Sequence, residues 1–216
     1  SVYLRPNPLK ISVQALADRL SETGLDAHCC AAGLIRLTGA GDVSQLPGFE
    51  QGWFSVQDLA AFQVGARLNP AENTRILDMC AAPGGKTTHL AELTENHAQI
   101  LATDINRDRL NRVSENADRL GLDSIRIMDY QRLQSYVQEQ GLFDVILLDV
   151  PCSNTGVLAK RVEVRFRCDP QSVESCAHMQ MQLLKDAVVM LKPGGKICYS
   201  TCSILRAENQ DRVGCF

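Results

Sequence analysis

Apolar and polar positions change their period along the chain, and the change divides it into two blocks. Residues 2–5 form a short apolar run stopped by Arg5-Pro6-Asn7-Pro8, which predicts a strand. Ser12 stands at an N-cap position ahead of Leu16 and Leu20 on one helical face, and Gly24 closes that helix. Residues 33–38 predict a second strand, followed by glycine and proline punctuation through Gly48. Ser55 followed by Asp58 resembles a capping box and predicts a helix through about Leu68, with a break at Asn69-Pro70. From Thr74 onward the period alternates. Short apolar runs at 75–79, 99–104, 124–129, 143–149 and 196–201 predict strands, most ending in a polar residue. Between them lie helical patterns. The clearest carries Leu110, Val113, Ala117 and Leu120 and ends at Gly121; another spans 173–191 and stops at Lys192-Pro193-Gly194-Gly195. The alternation predicts an α/β fold with a doubly wound, mostly parallel sheet over 73–216. A small α+β subdomain over 1–72, a candidate RNA contact, precedes it. Ligands of such sheets bind outside the carboxyl ends of the strands, so Asp78, Asp104, Asp129, Asp149 and Cys202 are expected on one edge.

Composition narrows the class. Of 216 residues, 45% are hydrophobic and 22% charged, as in an ordinary globular chain. The longest apolar runs, such as 145–148, are far too short for a membrane span, and the first residues lack the pattern of a signal peptide. Nine cysteines, with a vicinal Cys29-Cys30 and no Cys-x-x-Cys, make a poor disulfide framework and a poor zinc site. That usage predicts a reducing, cytoplasmic location and no metal. No heptad or exposed apolar stripe argues for assembly, so a monomer is expected. The net charge is −3, yet Lys160, Arg161, Arg165 and Arg167 lie close together around Phe166, opposed by Glu163. This run reads either as a solvated surface or as an RNA-backbone contact.

Candidate chemistry begins with Leu77-Asp78-Met79-Cys80-Ala81-Ala82-Pro83-Gly84-Gly85-Lys86-Thr87, which follows a strand and opens a helix. Glycines there let the backbone approach a ligand closely. A phosphate loop would share Gly85-Lys86-Thr87, and the strand ending at Asp149 imitates the magnesium-binding strand of such nucleotidases; Cys80, however, stands where the first glycine belongs. An adenosyl cofactor instead needs a carboxylate for its ribose hydroxyls at the end of the next strand, and Asp104 is there. Two more strand ends carry thiols: Asp149-Val150-Pro151-Cys152 and Ser200-Thr201-Cys202-Ser203. In a parallel sheet these ends are neighbours, so both thiols should flank one crevice, where a thiolate is a strong nucleophile. Cys80, Cys176 and Cys198 read as core residues.

Those three motifs, with Leu46-Pro47-Gly48-Phe49 and Val56-Gln57-Asp58 ahead of them, resemble the RNA cytosine-5 methyltransferases, in particular the bacterial RsmB (Sun/Fmu) type acting on small-subunit ribosomal RNA. The resemblance implies a Rossmann-like class I methyltransferase fold. It implies methyl transfer from S-adenosylmethionine to C5 of a cytosine in RNA, ribosomal or transfer, leaving S-adenosylhomocysteine. Cys80, Ala81, Ala82, Pro83, Gly84, Gly85 and Lys86 match the cofactor segment, Asp104 the ribose carboxylate, Asp129 the acid beside adenine, and Arg109 a further cofactor contact. Asp149 matches the acid between cofactor and target base, Cys202 the nucleophile that adds at C6, and Cys152 the cysteine that assists product release. Cys152 stays a competitor for the nucleophile, because DNA cytosine-5 methylation uses a Pro-Cys thiol. Arg161-Val162 replaces the His-Pro often found after the cysteine loop. The resemblance also implies a last helix and strand beyond Phe216 and an RNA-binding bundle ahead of Ser1, neither within these 216 residues. A non-catalytic RNA-binding module that keeps the cofactor fold therefore stays open as an alternative.

If the basic run overhangs the crevice, replacing Arg165 and Arg167 with Ala raises the RNA dissociation constant, flattens its salt dependence and leaves cofactor affinity unchanged. Filter binding across a salt series measures this, and an unaltered slope returns the run to the solvated surface.

Overall fold

Alternating apolar positions near the N-terminus close into an antiparallel sheet over one amphipathic helix. In the computed structural model, which describes residues 1–158, 164 and 168–215, β1 (Val2–Pro6), β2 (Asp26–Cys29), β3 (Ile35–Thr38) and β4 (Phe54–Val56) pair in the order β2-β3-β1-β4. Leu4, Ile35, Leu37 and Phe54 bury against Leu16, Ala17 and Leu20 of α1 (Val13–Ser21). Ser12 caps α1 as the sequence predicts, accepting the Ala15 N–H at 3.2 Å. β2 carries mostly exposed side chains, so its sequence shows no apolar alternation to read.

The second sheet is parallel throughout. Its strands are β5 (Arg75–Asp78), β6 (Gln99–Ala102), β7 (Ile125–Ile127), β8 (Phe143–Asp149) and β9 (Leu191–Ser200), in the order β7-β6-β5-β8-β9. Successive side chains leave opposite faces of a strand, and both faces are covered here. Ile76, Ile100 and Leu147 bury with Leu90 and Ala91 of α3 (Gly85–Leu93) and Ala117 and Leu120 of α4 (Arg107–Leu120). Leu77, Leu101, Ile146 and Leu148 bury with Leu133 of α5 (Leu133–Gln140) and Leu183, Leu184 and Ala187 of α6 (Pro170–Met190). This is the doubly wound sheet that the alternation predicts, in the Rossmann-like form that the resemblance implies. A short α7 (Gln210–Val213) is the last helix among the described residues. No helix among them is long and apolar enough to cross a membrane.

Three details differ from the sequence reading. Ser55 does not open the second helix: it pairs with Arg5 in the β1–β4 ladder, so Asp58 is the N-cap residue and α2 runs Leu59–Leu68. β9 begins before its predicted start. Phe143 pairs with Leu191 and Val145 with Lys196, so Pro193-Gly194-Gly195 bulges out of a continuing strand instead of ending the preceding element. Finally, α2 goes by packing with the second sheet. Its Val64 and Leu68 join the second core, and Phe62 stacks on the buried His89 of α3 at 4.6 Å. The break at Asn69-Pro70 thus marks the end of a helix, and the first core ends earlier than residue 72.

One guanidinium joins the two sheets. Arg5 of β1 is 2% exposed, and all five of its N–H groups have acceptors. Glu92 of α3 takes two, at 2.6 and 2.9 Å; Gln57 Oε1, the Gly85 carbonyl and Thr88 Oγ1 take the others. Desolvating two charges costs several kcal/mol per ion, which only such complete satisfaction offsets. Arg5→Met leaves Glu92 buried and unpaired and should cost about 3–5 kcal/mol, whereas Arg5→Met with Glu92→Met recovers most of that loss. Urea unfolding of the single and double variants checks the pair; equal losses in both would assign the cost to packing.

Candidate active site

β5 runs out at Asp78, and the chain turns through residues 79–84 before α3 starts at Gly85. Gly84 has φ +105, and a Cβ there would meet the Val113 backbone at 3.2 Å, so glycine alone fits. The turn is tied to the next strand. The Ala81 N–H donates to the Thr103 carbonyl at 2.9 Å, and the Ala82 N–H to Asp104 Oδ2 at 3.1 Å. Asp104 Oδ1 also accepts the Asn106 N–H at 2.9 Å, while Arg109 of α4 donates to the Ala82 carbonyl at 2.8 Å. Cys80, Ala82, Lys86, Asp104, Ile105 and Arg109 form one wall of a crevice of about 550 Å³ at the carboxyl edge of the sheet. Ala81, Pro83, Gly84 and Gly85 shape the turn behind that wall.

The opposite wall comes from the ends of β8 and β9, where Asp149 pairs with Ser200 in the parallel ladder. Asp149 Oδ1 accepts the Ser200 hydroxyl at 2.9 Å, and Oδ2 forms an ion pair with Lys86 Nζ at 2.6 Å. Beyond it, Cys152 and Cys202 bring their sulfurs to 3.1 Å. Asn154, in the left-handed region at φ +59, accepts the Cys202 thiol through Oδ1 at 2.9 Å and donates through Nδ2 to the Cys152 carbonyl at 2.9 Å. Gly156 donates its N–H to the Cys202 carbonyl at 2.8 Å, and a Cβ there would lie 2.5 Å from that oxygen. The two cysteine loops leave no room between them.

This contact divides the protons of the pair. Hydrogen bonding with Cys202, with help from Thr201, outweighs burial and pulls the Cys152 thiol down to about 6. The same hydrogen bond, then burial and the charge of Cys152, push Cys202 above the ordinary thiol range. A sulfur in contact with a second sulfur can share its proton, so the contact favours a thiolate on one of the two. The core reading of Cys80 agrees with its burial, which pushes that thiol well above the ordinary range.

Cys80, Ala82, Lys86, Asp104, Arg109, Asp149, Cys152 and Cys202 therefore meet in one crevice, as their strand-end positions imply. Asp129 does not join them. It lies two residues past β7, caps its own turn by accepting the Gln131 N–H at 3.3 Å, and faces a neighbouring hollow with Arg107, Arg126 and Arg132. The phosphate-loop reading also loses its metal ligand, because Thr87 is fully buried and donates to Asp78 Oδ2 at 2.7 Å. Lys160, Arg161, Glu163, Arg165, Phe166 and Arg167 lie outside the described residues. Sequence reasoning missed Asn154, Gln180 and Glu208, which brace the cysteine loops from segments far apart in the chain. Only the position of Asn154, two residues after Cys152, offered a signal.

Comparison with known proteins bears on this geometry. Residues 66–216 match the family described as 16S rRNA methyltransferase RsmB/F. The probable ribosomal RNA small subunit methyltransferase B of Synechocystis is 42% identical over 99% of this chain, which covers 49% of that protein. The chain thus spans about half the length of the curated relatives it matches. Among solved structures, a methyltransferase homologue from Pyrococcus horikoshii superposes with a TM-score of 0.82 at 31% identity, over 98% of this chain and 67% of that one. NSun6 from the same organism, solved with SFG, gives 0.86 at 25% identity, over 99% of this chain and 78% of its own.

The crevice carries a pH dependence of its own. Burial pushes Asp78 up to about 7, with Thr87 pulling it down and Asp149 pushing it further. A carboxyl whose folded value exceeds its unfolded one binds a proton on folding, so its contribution opposes folding increasingly as pH climbs from 3.8 to about 7. Asp78→Asn should then stabilise the fold by about 1–3 kcal/mol near pH 8 and change little near pH 4. Thermal melts at both values decide it; a gain of equal size at both would mean that Asp78 does not titrate across this range.

Proposed function

Because the chain belongs to the 16S rRNA methyltransferase RsmB/F family, we propose that it transfers a methyl group from S-adenosylmethionine to C5 of a cytosine in RNA, with small-subunit ribosomal RNA as the substrate and the cytoplasm as the place of action. The observation that carries this reading is the pair of thiols 3.1 Å apart at adjacent strand ends, across one crevice from the glycine turn.

The residues of that crevice fit the cofactor. Asp104, at the end of the strand after the glycine turn, is the carboxylate available to ribose hydroxyls, and a Cβ on Gly85 would meet nothing within 4 Å, so the turn is open on that side. Arg109 holds the Ala82 carbonyl and with it the curvature of the turn. SFG, present with the Pyrococcus NSun6, is an analogue of S-adenosylmethionine, which favours the same ligand class here. When bound, S-adenosylmethionine supplies an electrophilic methyl group and departs as S-adenosylhomocysteine.

The chain's own residues supply the activation. C5 of cytosine is a poor nucleophile until a thiolate adds at C6. Cys202, exposed at the mouth of the crevice, forms that sulfur–carbon bond. The proton of Cys202 passes to solvent at the exposed mouth, and Cys152, whose thiol is pulled down to about 6, stays beside it as the thiolate base for release. Electron density pushed toward ring nitrogen 3 needs a proton there. The Asp149–Lys86 pair, 2.6 Å apart between the glycine turn and the thiols, is the group that can hold that proton. Cys152 then takes the C5 proton, N3 returns its own to the Asp149–Lys86 pair, and the ring is restored as Cys202 leaves as a thiolate. The target base must be unpaired or flipped out, because a stacked base hides the face that is attacked.

Cys202→Ala should abolish both adduct and labelled methyl incorporation. Cys152→Ala should permit addition and methyl transfer but stall release, so that a covalent protein–RNA complex accumulates on a denaturing gel. Both variants should bind S-adenosylmethionine like the wild type in titration calorimetry, since neither thiol belongs to the glycine turn. A shifted band for Cys202→Ala with none for Cys152→Ala would reverse the two roles. Binding of a nucleoside triphosphate with magnesium, and none of S-adenosylmethionine, would remove the reading altogether.

A further inference from the structure

Below the thiol pair, on the side away from the crevice, lies a carboxylate that neither the motif pattern nor the proposed reaction uses. Glu208 belongs to the turn Arg206–Glu208 that follows β9, and it is completely buried. Its Oε1 accepts the Ser153 N–H at 2.8 Å and the Gln180 side-chain amide at 3.2 Å. Its Oε2 accepts the hydroxyls of Ser153 and, at 2.5 Å, of Ser203. Ser153 directly follows Cys152, and Ser203 directly follows Cys202.

We propose that Glu208 is the positioning residue of the thiol pair, a buried carboxylate that clamps the two cysteine loops together and so sets the contact between Cys152 and Cys202. The inference rests on the reading that these cysteines are the reactive ones. Four converging donors, and no ion pair among the described residues, hold the charge. Such a site resists displacement, because releasing any donor leaves a buried anion short of a partner. Burial would push Glu208 up, but the hydrogen bonds from Ser153 and Ser203, with that from Gln180, hold it below the ordinary carboxylate range. It is therefore ionised wherever the thiols work.

The clamp extends to either side. Gln180 of α6 also donates to the Pro151 carbonyl at 2.8 Å, fixing the chain just ahead of Cys152. Asn209 donates to the Ser203 carbonyl at 2.8 Å, fixing the chain just past Cys202. Thr155 joins the Ser203 hydroxyl at 2.9 Å and closes the loops from the far side. A glutamine at 208 keeps the shape but offers one acceptor oxygen for the donors that now converge on two. Ser153 or Ser203 must then let go, the loops separate, and each sulfur loses the neighbour that shares its proton.

Thiol reactivity, read apart from methyl transfer, tests this. Other groups facing the pair are Asp149 of β8 with Lys86 of α3, Cys176 of α6 and Tyr199 of β9, all unchanged in the variants below. The full chain is alkylated with iodoacetamide from about pH 5 to about pH 10, and the modification of Cys152 and Cys202 is followed by peptide mass spectrometry. The wild type should show a midpoint below the free-thiol value of about 8.5. Glu208→Gln should raise that midpoint by about one unit and slow alkylation near neutral pH about tenfold. Ser203→Ala, which removes one tether and keeps the carboxylate, should shift it less in the same direction, and decides the matter if Glu208→Gln does not fold. A folded Glu208→Gln with the wild-type midpoint overturns the proposal, as does a lowered melting temperature without a shift. A shifted midpoint in a chain whose wild type methylates no RNA leaves the clamp standing and removes the proposed function instead.

Discussion

Asp149 stands opposite Ser200 in the parallel ladder between β8 and β9, and the crevice follows from that register. Side chains alternate between faces, so a slip of one residue would turn Asp149 away from Lys86 and present its neighbour instead. Parallel pairing brings both strands out at the same edge, which is why loops fifty residues apart in sequence can place two sulfurs in contact. Antiparallel pairing would send one of the cysteines to the far end of the sheet, at about 3.3 Å per residue. The register is adjusted early in β9, where the bulge at Pro193-Gly194-Gly195 absorbs the extra chain between Leu191 and Lys196. Gly194 takes φ +80 there, and a Cβ on Gly195 would lie 2.9 Å from the Asp144 carbonyl. Two glycines far from any chemistry thus determine which side chains reach the site.

A second constraint runs through the N-terminal sheet. Arg5 and Gln57 both donate to the Gly85 carbonyl, at 2.7 and 3.1 Å. That carbonyl lies in the first turn of α3, next to the lysine that holds Asp149. The buried ion pair of Arg5 with Glu92 anchors the other end of the same helix. Asn7, also fully buried, adds a contact from its side chain to the Leu120 carbonyl at 3.0 Å, where α4 ends. The small sheet therefore grips both helices that flank the glycine turn, and its packing is coupled to the geometry of the crevice through hydrogen bonds that cannot be exchanged for water without stranding buried polar groups.

How much of this was legible in the sequence depends on the range of the interaction. β8 reads as Phe143–Asp149 from the apolar run at 145–148, the signature of a strand buried on both faces, and α4 from its spacing and from Gly121, which takes the left-handed conformation at its end. The helix 133–140 shows barely one turn of stripe, Leu133 with the half-buried Tyr136 and Val137, and β2 is exposed along most of its length. The Ser55–Asp58 pattern misleads because Ser55 is already committed to a ladder with β1, a tertiary fact. At the site, local motifs lead to the cysteines, Asp104, Asp149 and the glycine turn. The partners of those residues are another matter. Glu208 has no motif, since its role exists only once loops near 153, 180 and 203 have met. Asp129 shows the reverse: its place in the sequence suits the crevice, but capping its own turn directs it elsewhere.

Three carboxylates, Asp78, Asp104 and Asp149, end adjacent strands, and like charges gathered at one edge repel unless each is managed. Each is managed differently. Asp78, buried completely and pushed up to about 7, avoids the cost by holding its proton through much of the acid range. Asp149 is neutralised by Lys86 at 2.6 Å. Asp104 is solvated by the backbone, accepting the N–H groups of Ala82 and Asn106, with Arg109 at 3.7 Å. The results differ in what is left for a ligand. Asp78 is sealed behind the crevice and Asp149 is tied to Lys86, whereas Asp104 stays at the crevice wall with its longer contact to Arg109 at 3.7 Å. The thiols beside this edge feel it unequally: hydrogen bonds pull Cys152 down to about 6, while the charge of Asp149 adds to what pushes Cys202 up.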